Sequence, residues 1–444
     1  MKILRVASHW SLVTGRETSD KRLATSDTFL SLLILLGILL RFTDLPVPEL
    51  STDEAQLALG KSAAWTPLAM QTIVFIQNIF GFETIVARGV SVVMGIITLP
   101  IIYLITEHLT NKKTALLATA IAAIFPSHIL FSRLAYPSIY LCTAWLLTLL
   151  CFLKAKSSKN NLWLIALFLS AVTATFLKSQ GLVFPLLLLF GEFISQIRQK
   201  RITNYSLFII HYSFPVSTII LLSLMPVTFY ILTHPGILAT VLLYGGNMYG
   251  VSGAFQRLME LINAWQHTLS LFAIFAIISI GWWKRISWPI WMFLLTAFLT
   301  GYLLGPSHEY YSTHLVILSI PIALMFTRAK PIIKNLSLAI LTVATIAFLG
   351  PSKFSPYVHP LYQQESYWTA NADKINEVLK NDEEVMIMGY PGHHLRWYVK
   401  PKLLLGRYMN EEEWDGKILI LKKDKLEVPE GSEVVYEDDT LVIY

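Results

Sequence analysis

A chain of 444 residues with 54% hydrophobic and only 14% charged residues, at a mean hydropathy of +0.55, has too little polar surface to coat a soluble globule of its size. The net charge of +6 does not point to nucleic acid, because the basic residues sit between apolar runs and are not gathered on one soluble face. Disulfide chemistry is excluded as well: the two cysteines, Cys142 and Cys151, fall on one predicted helix, whose rise sets them ~13 Å apart.

Residues 1–26 hold Lys2, Arg5, Arg16, Lys21 and Arg22 with no apolar stretch or small-residue cleavage site before Phe29. They read as a cytoplasmic N-terminal segment and not as a removable signal peptide. From Phe29 to Leu349, apolar runs near the roughly 20 residues of a bilayer crossing recur. They predict about eleven transmembrane helices, at 27–46, 87–107, 114–131, 136–154, 161–177, 179–197, 206–231, 264–282, 287–304, 313–328 and 333–350. The stretch 67–80 is too short to span, and Gln71, Thr72, Gln77 and Asn78 recur on one side, so it is expected to lie as a helix in the outer interface.

Charge placement supports this layout. Lys112 and Lys113, then Lys154, Lys156 and Lys159, then Arg198, Lys200 and Arg201, then Lys284 and Arg285, then Arg328, Lys330 and Lys334 fall on alternate connections, as cytoplasmic loops require. The outer side receives two longer loops, 47–86 and 232–263. The second, with Gly236, Gly245, Gly246, Gly250 and Gly253 followed by an amphipathic stretch, reads equally as a mobile covering loop or a plain surface hairpin. Residues 27–350 thus form a membrane all-α multispan bundle. After Pro351 the charged residues return, and short runs at Val385–Met388, Lys417–Leu421 and Thr440–Tyr444 predict a small C-terminal α/β domain, 351–444. An odd number of preceding spans places it outside the cytoplasm.

The first outer loop carries Arg41, Asp44 and then Ser51-Thr52-Asp53-Glu54-Ala55. Adjacent carboxylates at a membrane surface can take a proton from an attacking hydroxyl, and burial beside another acid raises a carboxyl pKa toward the useful range. The plainer reading is a solvated acidic loop. Arg88, Arg133 and Lys178 lie where spans meet the outside, against the usual scarcity of cations there. They either hold an anionic phosphate at headgroup level or snorkel to lipid phosphates. Glu309, Tyr310, Tyr311 and His314 gather hydrogen-bonding groups just before the tenth span, as a sugar pocket or as ordinary interfacial anchors. His393-His394 lack a third partner at metal-ligand spacing, so no metal site is expected there, and no glycine-rich phosphate loop follows a predicted strand.

Several of these stretches resemble the GT-C superfamily of membrane glycosyltransferases, in the branch of protein O-mannosyltransferases and aminoarabinose lipid A transferases. They are Leu40-Arg41-Phe42 with Ser51-Thr52-Asp53-Glu54-Ala55, then Phe80-Gly81-Phe82-Glu83 with Ala87-Arg88-Gly89-Val90-Ser91. Ile124-Phe125-Pro126-Ser127-His128 with Phe131-Ser132-Arg133-Leu134-Ala135-Tyr136, and Leu177-Lys178-Ser179-Gln180-Gly181, complete the set. The likeness covers 27 to about 200 well and 200–350 by general layout. It implies an inverting transferase; no cofactor is expected, and a requirement for a divalent metal is left open. Asp53 would be general base, assisted by Glu54, for moving a sugar from a polyprenyl-phosphate donor to a hydroxyl of a lipid, glycan or protein on the outer face. Arg133, Lys178 and Arg88 would hold the donor phosphate, and Tyr136, Gln180, Glu309, Tyr310 and His314 the substrate. Ser138 stands where mannosyltransferases commonly have an acid and His314 where an arginine is frequent, which leaves the acceptor class open.

Two other functions compete: a transporter or flippase of lipid-linked sugars, and an inactive glycolipid-binding scaffold. Carriers place charged groups near the bilayer midplane, whereas the charges here cluster at the outer surface.

Overall fold

The computed structural model describes residues 17–43, 45, 50, 52–60, 67–158, 160–202, 206–233, 259, 287–304, 309–328, 367–379, 384–388, 402–405, 417–421, 434–437 and 441–443. The expected spans 264–282 and 333–350, most of the loop 232–263, Asp44 and His393-His394 lie outside them.

The chain begins with α1 (Glu17–Phe42) and the short α2 (Thr52–Ala58), followed by α3 (Pro67–Phe80) and α4 (Thr84–Leu109). Then come α5 (Lys112–Ala123), α6 (Pro126–Ser132), α7 (Pro137–Ser157) and α8 (Leu162–Leu177). A 3-10 turn at Ser179–Leu182 leads into α9 (Val183–Ile202) and α10 (Ser206–Thr233). After α11 (Trp288–Leu304), a 3-10 helix over Glu309–Leu318 runs into α12 (Ser319–Arg328). Among the described residues, α4 and α7 are each long and apolar enough to cross a membrane, and α5 with α6 forms a third crossing if the bent pair is one span.

Burial on α1 runs opposite to a water-soluble helix. Phe29, Leu32, Leu35, Leu36 and Leu39 are exposed, while Leu33, Gly37 and Arg41 form the buried stripe. An apolar outer face and a polar inner one suit a lipid surround. Gly37 permits the contact with α4, because a Cβ there would collide with Leu99. Along the inner helices, hydroxyls turn back onto their own carbonyls: Thr106 to Ile102, Thr119 to Ala115 and Thr148 to Ala144, at 2.7–2.9 Å. This keeps polar side chains satisfied where no water is at hand.

The expected single span 114–131 is instead broken. Pro126 cannot donate a backbone hydrogen bond, so α5 stops and α6 starts at a 59° bend. The expected span 313–328 begins as a 3-10 helix whose described side chains are all buried, and becomes α-helical only at Ser319. At the core, Trp145 on α7 meets Phe184 of α9 and Phe293 of α11, each at 6.0 Å between ring centroids.

α3 falls on the stretch predicted as an interfacial helix. Ala69, Ile73 and Gln77 face inward, four residues apart, and Gln71, Phe75 and Ile79 face outward, so Gln77 lies opposite the polar stripe on which it was expected. At the C-terminus, α13 (Tyr367–Val378) precedes β1 (Glu384–Met388), β2 (Lys402–Leu405), β3 (Lys417–Leu421), β4 (Tyr436–Glu437) and β5 (Leu441–Ile443). They form one sheet in the order β2-β1-β3-β5-β4. β1 runs parallel to both β2 and β3, and β5 antiparallel to β3 and β4. β1, β3 and β5 fall on the runs expected from the sequence, whereas β2 and β4 were not among them.

Candidate active site

α6 is the hub. All seven of its residues are buried, and the segment from Phe125 to Ala135 makes polar contacts with four other parts of the chain. Breaking the helix at Pro126 leaves carbonyls at the end of α5 without their helical partners. Arg41, at the last turn of α1, fills one of these gaps by donating Nη1 to the Ala123 carbonyl at 3.2 Å, as well as to Gly37 at 3.0 Å. Its Nε reaches Ser132 Oγ at 3.3 Å and its Nη2 reaches His128 Nδ1 at 2.9 Å. Gly95 on α4 makes room: a Cβ there would lie 2.7 Å from Ser132 Cβ and 3.2 Å from Arg41 Nε.

The acid pair sits on α2, with Asp53 and Glu54 in its first turn. Glu54 is fully buried and bound on both oxygens by Arg88, from Nε to Oε1 at 2.8 Å and from Nη2 to Oε2 at 3.1 Å. The Ala135 N–H also donates to Oε1, at 2.8 Å. A bidentate, charge-assisted pair of this kind is directional, and removing one partner inside a protein costs ~3–5 kcal/mol. Arg88 sends its remaining Nη1 to the Leu45 carbonyl at 3.0 Å, and Arg133 donates Nη2 to the Thr43 carbonyl. Both arginines, expected at a phosphate, thus also reach backbone carbonyls of the segment that leads to the acids. Asp53, one residue before a clamped side chain, has its backbone fixed by its neighbour.

Tyr136 caps α7 and meets Phe131 edge-on, with ring centroids 6.0 Å apart. Lys178 and Gln180 come from the turn after α8. That turn needs Gly181, because a Cβ at this position would fall 2.8 Å from Thr175 Cα and against the Ala174 carbonyl. The turn is held by Trp145 Nε1 donating to the Gly181 carbonyl at 3.3 Å. Lys178 is buried, and Gln180 is partly so. Glu309 and Tyr310 lie on the 3-10 helix, their side chains outside the described set.

His314 is fully buried, with its ring tilted by 39° against Trp145 at 4.6 Å between centroids. Ser127 Oγ on α6 donates to the Ser312 carbonyl at 3.0 Å, which brings His128 and His314 into one neighbourhood, where they interact electrostatically. An arginine can only donate, so His128 Nδ1 must accept, and its proton sits on Nε2. Neither that Nε2–H nor either ring nitrogen of His314 has a hydrogen-bond partner among the described residues. Each such buried orphan costs ~1–3 kcal/mol.

The structure thus brings Glu54, Arg88 and Arg133 around the α2 loop, and Lys178 and His314 around the far side of α6. Arg41 and His128 were singled out in the sequence only as members of motifs. An arginine in the last turn of an otherwise apolar span is the signal that could have promoted the first of them; a lone histidine after a proline carries none. Among the described residues, the basic side chains Arg41, Arg88, Arg133 and Lys178 are buried around this hub together with the carboxylate Glu54.

The family model described as dolichyl-phosphate-mannose-protein mannosyltransferase matches residues 64–230. No curated protein matches the sequence. Among solved structures, ArnT from Cupriavidus metallidurans bound to undecaprenyl phosphate has a TM-score of 0.68 at 13% identity, over 94% of this chain and 98% of that one. The same protein in the apo state gives 0.67 at 12%, with the same coverage. The archaeal oligosaccharyltransferase AglB from Archaeoglobus fulgidus, in complex with an inhibitory peptide and a dolichol-phosphate, has a TM-score of 0.55 at 12% identity, over 90% of this chain and 70% of that one. At such identities the likeness is one of fold, and it extends along nearly the whole chain.

Proposed function

We propose that the chain is a membrane glycosyltransferase of the GT-C kind, and that it transfers one sugar from a polyprenyl-phosphate donor to a hydroxyl acceptor on the outer face of the membrane, with inversion. The observation that carries this reading is the clamped α2: a helix of seven residues, bearing adjacent acids, fixed through Glu54 by Arg88 and the Ala135 N–H. Fixing the helix that bears a catalytic group before substrate arrives removes much of the positional cost of the reaction.

Asp53 is the general base. It takes the proton of the acceptor hydroxyl as that oxygen forms its bond to the anomeric carbon. The bond from this carbon to the phosphate oxygen breaks on the opposite face, and its electron pair leaves with the polyprenyl phosphate. A phosphate is stable as an anion, so the leaving group needs no acid. Lys178 and Arg133 stabilise the charge that develops on it. Glu54 and Arg88 act by positioning α2. The sugar and acceptor are assigned to Tyr136, Gln180, Glu309 and Tyr310 by the resemblance of the sequence. A lipid, a glycan or a protein hydroxyl would all satisfy this chemistry.

The alternation of basic loops supports a cytoplasmic N-terminus and an extracytoplasmic segment 351–444. The solved neighbours support the donor class, since ArnT was captured with undecaprenyl phosphate and AglB with a dolichol-phosphate.

The test is Asp53→Asn in purified full-length protein, assayed with a polyprenyl-phosphate sugar. Losing a general base is expected to lower transfer by ~10²–10⁴-fold, with donor binding kept. Transfer within a few-fold of the parent protein would remove Asp53 from the role of base.

A further inference from the structure

Glu309–Leu318 winds as a 3-10 helix for ten residues, whereas such runs seldom pass three or four, because their hydrogen bonds are poorly aligned. Nothing in its own residues requires this: the run holds neither proline nor glycine. Pro321, just beyond it, is no barrier to α winding, since Pro100, Pro215 and Pro226 lie inside the continuous helices α4 and α10. The observed winding is held from outside. Ser127 Oγ of α6 donates to the Ser312 carbonyl at 3.0 Å, and Cys142 Sγ of α7 approaches the Thr313 carbonyl at 3.7 Å.

Against this hold stand polar atoms that the same winding leaves without partners among the described residues. Ser319, the first residue of α12, is fully buried, yet its Oγ is unbonded. Hydroxyls on the inner helices otherwise turn back onto the carbonyl four residues earlier, and Thr327, about two turns along the same helix, does so to Ala323 at 3.0 Å. For Ser319 that carbonyl belongs to Leu315, inside the 3-10 run. A 3-10 helix turns ~120° per residue and an α-helix ~100°, so over four steps the Leu315 carbonyl stands ~80° from its α position. Both ring nitrogens of His314 are unbonded as well. Buried polar atoms are ordinarily paired, so each winding satisfies groups that the other strands.

We propose that Glu309–Leu318 is a two-state element that winds between 3-10 and α, with Ser127 holding the first state and Ser319 the second. In the α state Ser319 Oγ donates to the Leu315 carbonyl, and the Ser312 carbonyl gives up Ser127 for the segment's own N–H groups. The rise falls from ~2.0 to ~1.5 Å per residue, so the ten residues shorten by ~5 Å. The Glu309 end turns by roughly half a revolution relative to α12, and His314, five steps from Ser319, turns by ~100° and leaves the Trp145 ring. Glu309, Tyr310 and His314, which the likeness of sequence assigned to the substrate, therefore move together. One winding presents what the other withdraws. The switch stands apart from the transfer chemistry, and its failure would leave the role of Asp53 untouched.

The test places nitroxide labels at Tyr311→Cys and Arg328→Cys in the full-length protein in nanodiscs, and measures the distance between them by pulsed electron paramagnetic resonance. Cys142 and Cys151 are buried away from the reagent. The two windings differ by ~4 Å between the labelled positions. Ser127→Ala removes the outside hold and is expected to raise the ratio of the shorter to the longer distance by ~2–10-fold, the worth of one neutral hydrogen bond. Adding Ser319→Ala, which removes the bond gained on α winding, should bring the ratio back toward the parent value. Circular dichroism checks that each variant is folded. A single distance, the same in the parent and in Ser127→Ala, would overturn the switch. So would a shorter distance whose share does not fall with Ser319→Ala, because that hydroxyl is what the α state gains.

Discussion

The clamp between Arg88 and Glu54 gives the most demanding prediction. Arg88→Met keeps the length of an apolar side chain but takes from the fully buried Glu54 carboxylate the two bonds at 2.8 and 3.1 Å, and from the Leu45 carbonyl a third at 3.0 Å. Stranding a buried charge in this way costs ~3–5 kcal/mol, a large share of the ~5–15 kcal/mol that holds a typical folded domain together. The second change, Glu54→Gln, removes the charge while its amide oxygen still accepts from the Ala135 N–H. The double variant Arg88→Met with Glu54→Gln should therefore be more stable than Arg88→Met alone, with a coupling of ~0.5–3 kcal/mol. Thermal unfolding of the detergent-solubilised protein, followed by helical circular dichroism, measures both. Transfer should fall by ~10²-fold in Arg88→Met, since a shift of about 1 Å in a catalytic group has that effect. Arg88→Lys should be intermediate, because an ammonium cannot reproduce the two-pronged contact. A single variant as stable as the parent, or a double variant no better than the single, would refute the view that this pair positions α2.

Two glycines make smaller, separable predictions. Gly95→Ala drives a methyl group into Ser132 and toward Arg41, and should cost ~1–3 kcal/mol by overpacking. The same melting experiment should show it, and Ser132→Ala combined with it should relieve part of the loss. Gly181→Ala presses on the backbone of α8 at Ala174 and Thr175, so the turn must shift and carry Lys178 with it. Weaker binding of undecaprenyl phosphate than of undecaprenol, relative to the parent, is the expected readout, and unchanged selectivity would detach the turn from the phosphate site.

Composition and periodicity were sufficient for the broad architecture, because a helix that crosses lipid must satisfy its own backbone and show an apolar exterior. α4 at Thr84–Leu109 and α7 at Pro137–Ser157 lie within a few residues of the spans predicted at 87–107 and 136–154. Strand-forming runs at Glu384–Met388 and Lys417–Leu421 were equally visible, as short apolar stretches between turn residues. The break at Pro126 was present in the sequence but overridden by the surrounding hydropathy, which averages a proline away. The 3-10 winding of Glu309–Leu318 left no local signal at all, since the choice between 3-10 and α depends on what the segment packs against.

The acid pair was legible for a different reason: two adjacent carboxylates beside an apolar span are rare and costly, so their presence asks for an explanation on its own. Their division of labour was not legible. Glu54 and Arg88 are separated along the chain by the whole of α3, and no spacing rule connects them. In the same way Arg41 meets His128, and Ser127 meets Ser312, only because α6 is set at an angle to α5 and lies against the 3-10 helix. Sequence by itself determined which segments leave water and which charges stand at their ends, because burial of apolar surface is a property of each segment. Tertiary structure alone decided which of those charges meet one another, because that depends on distances of a few ångströms between residues far apart in the chain.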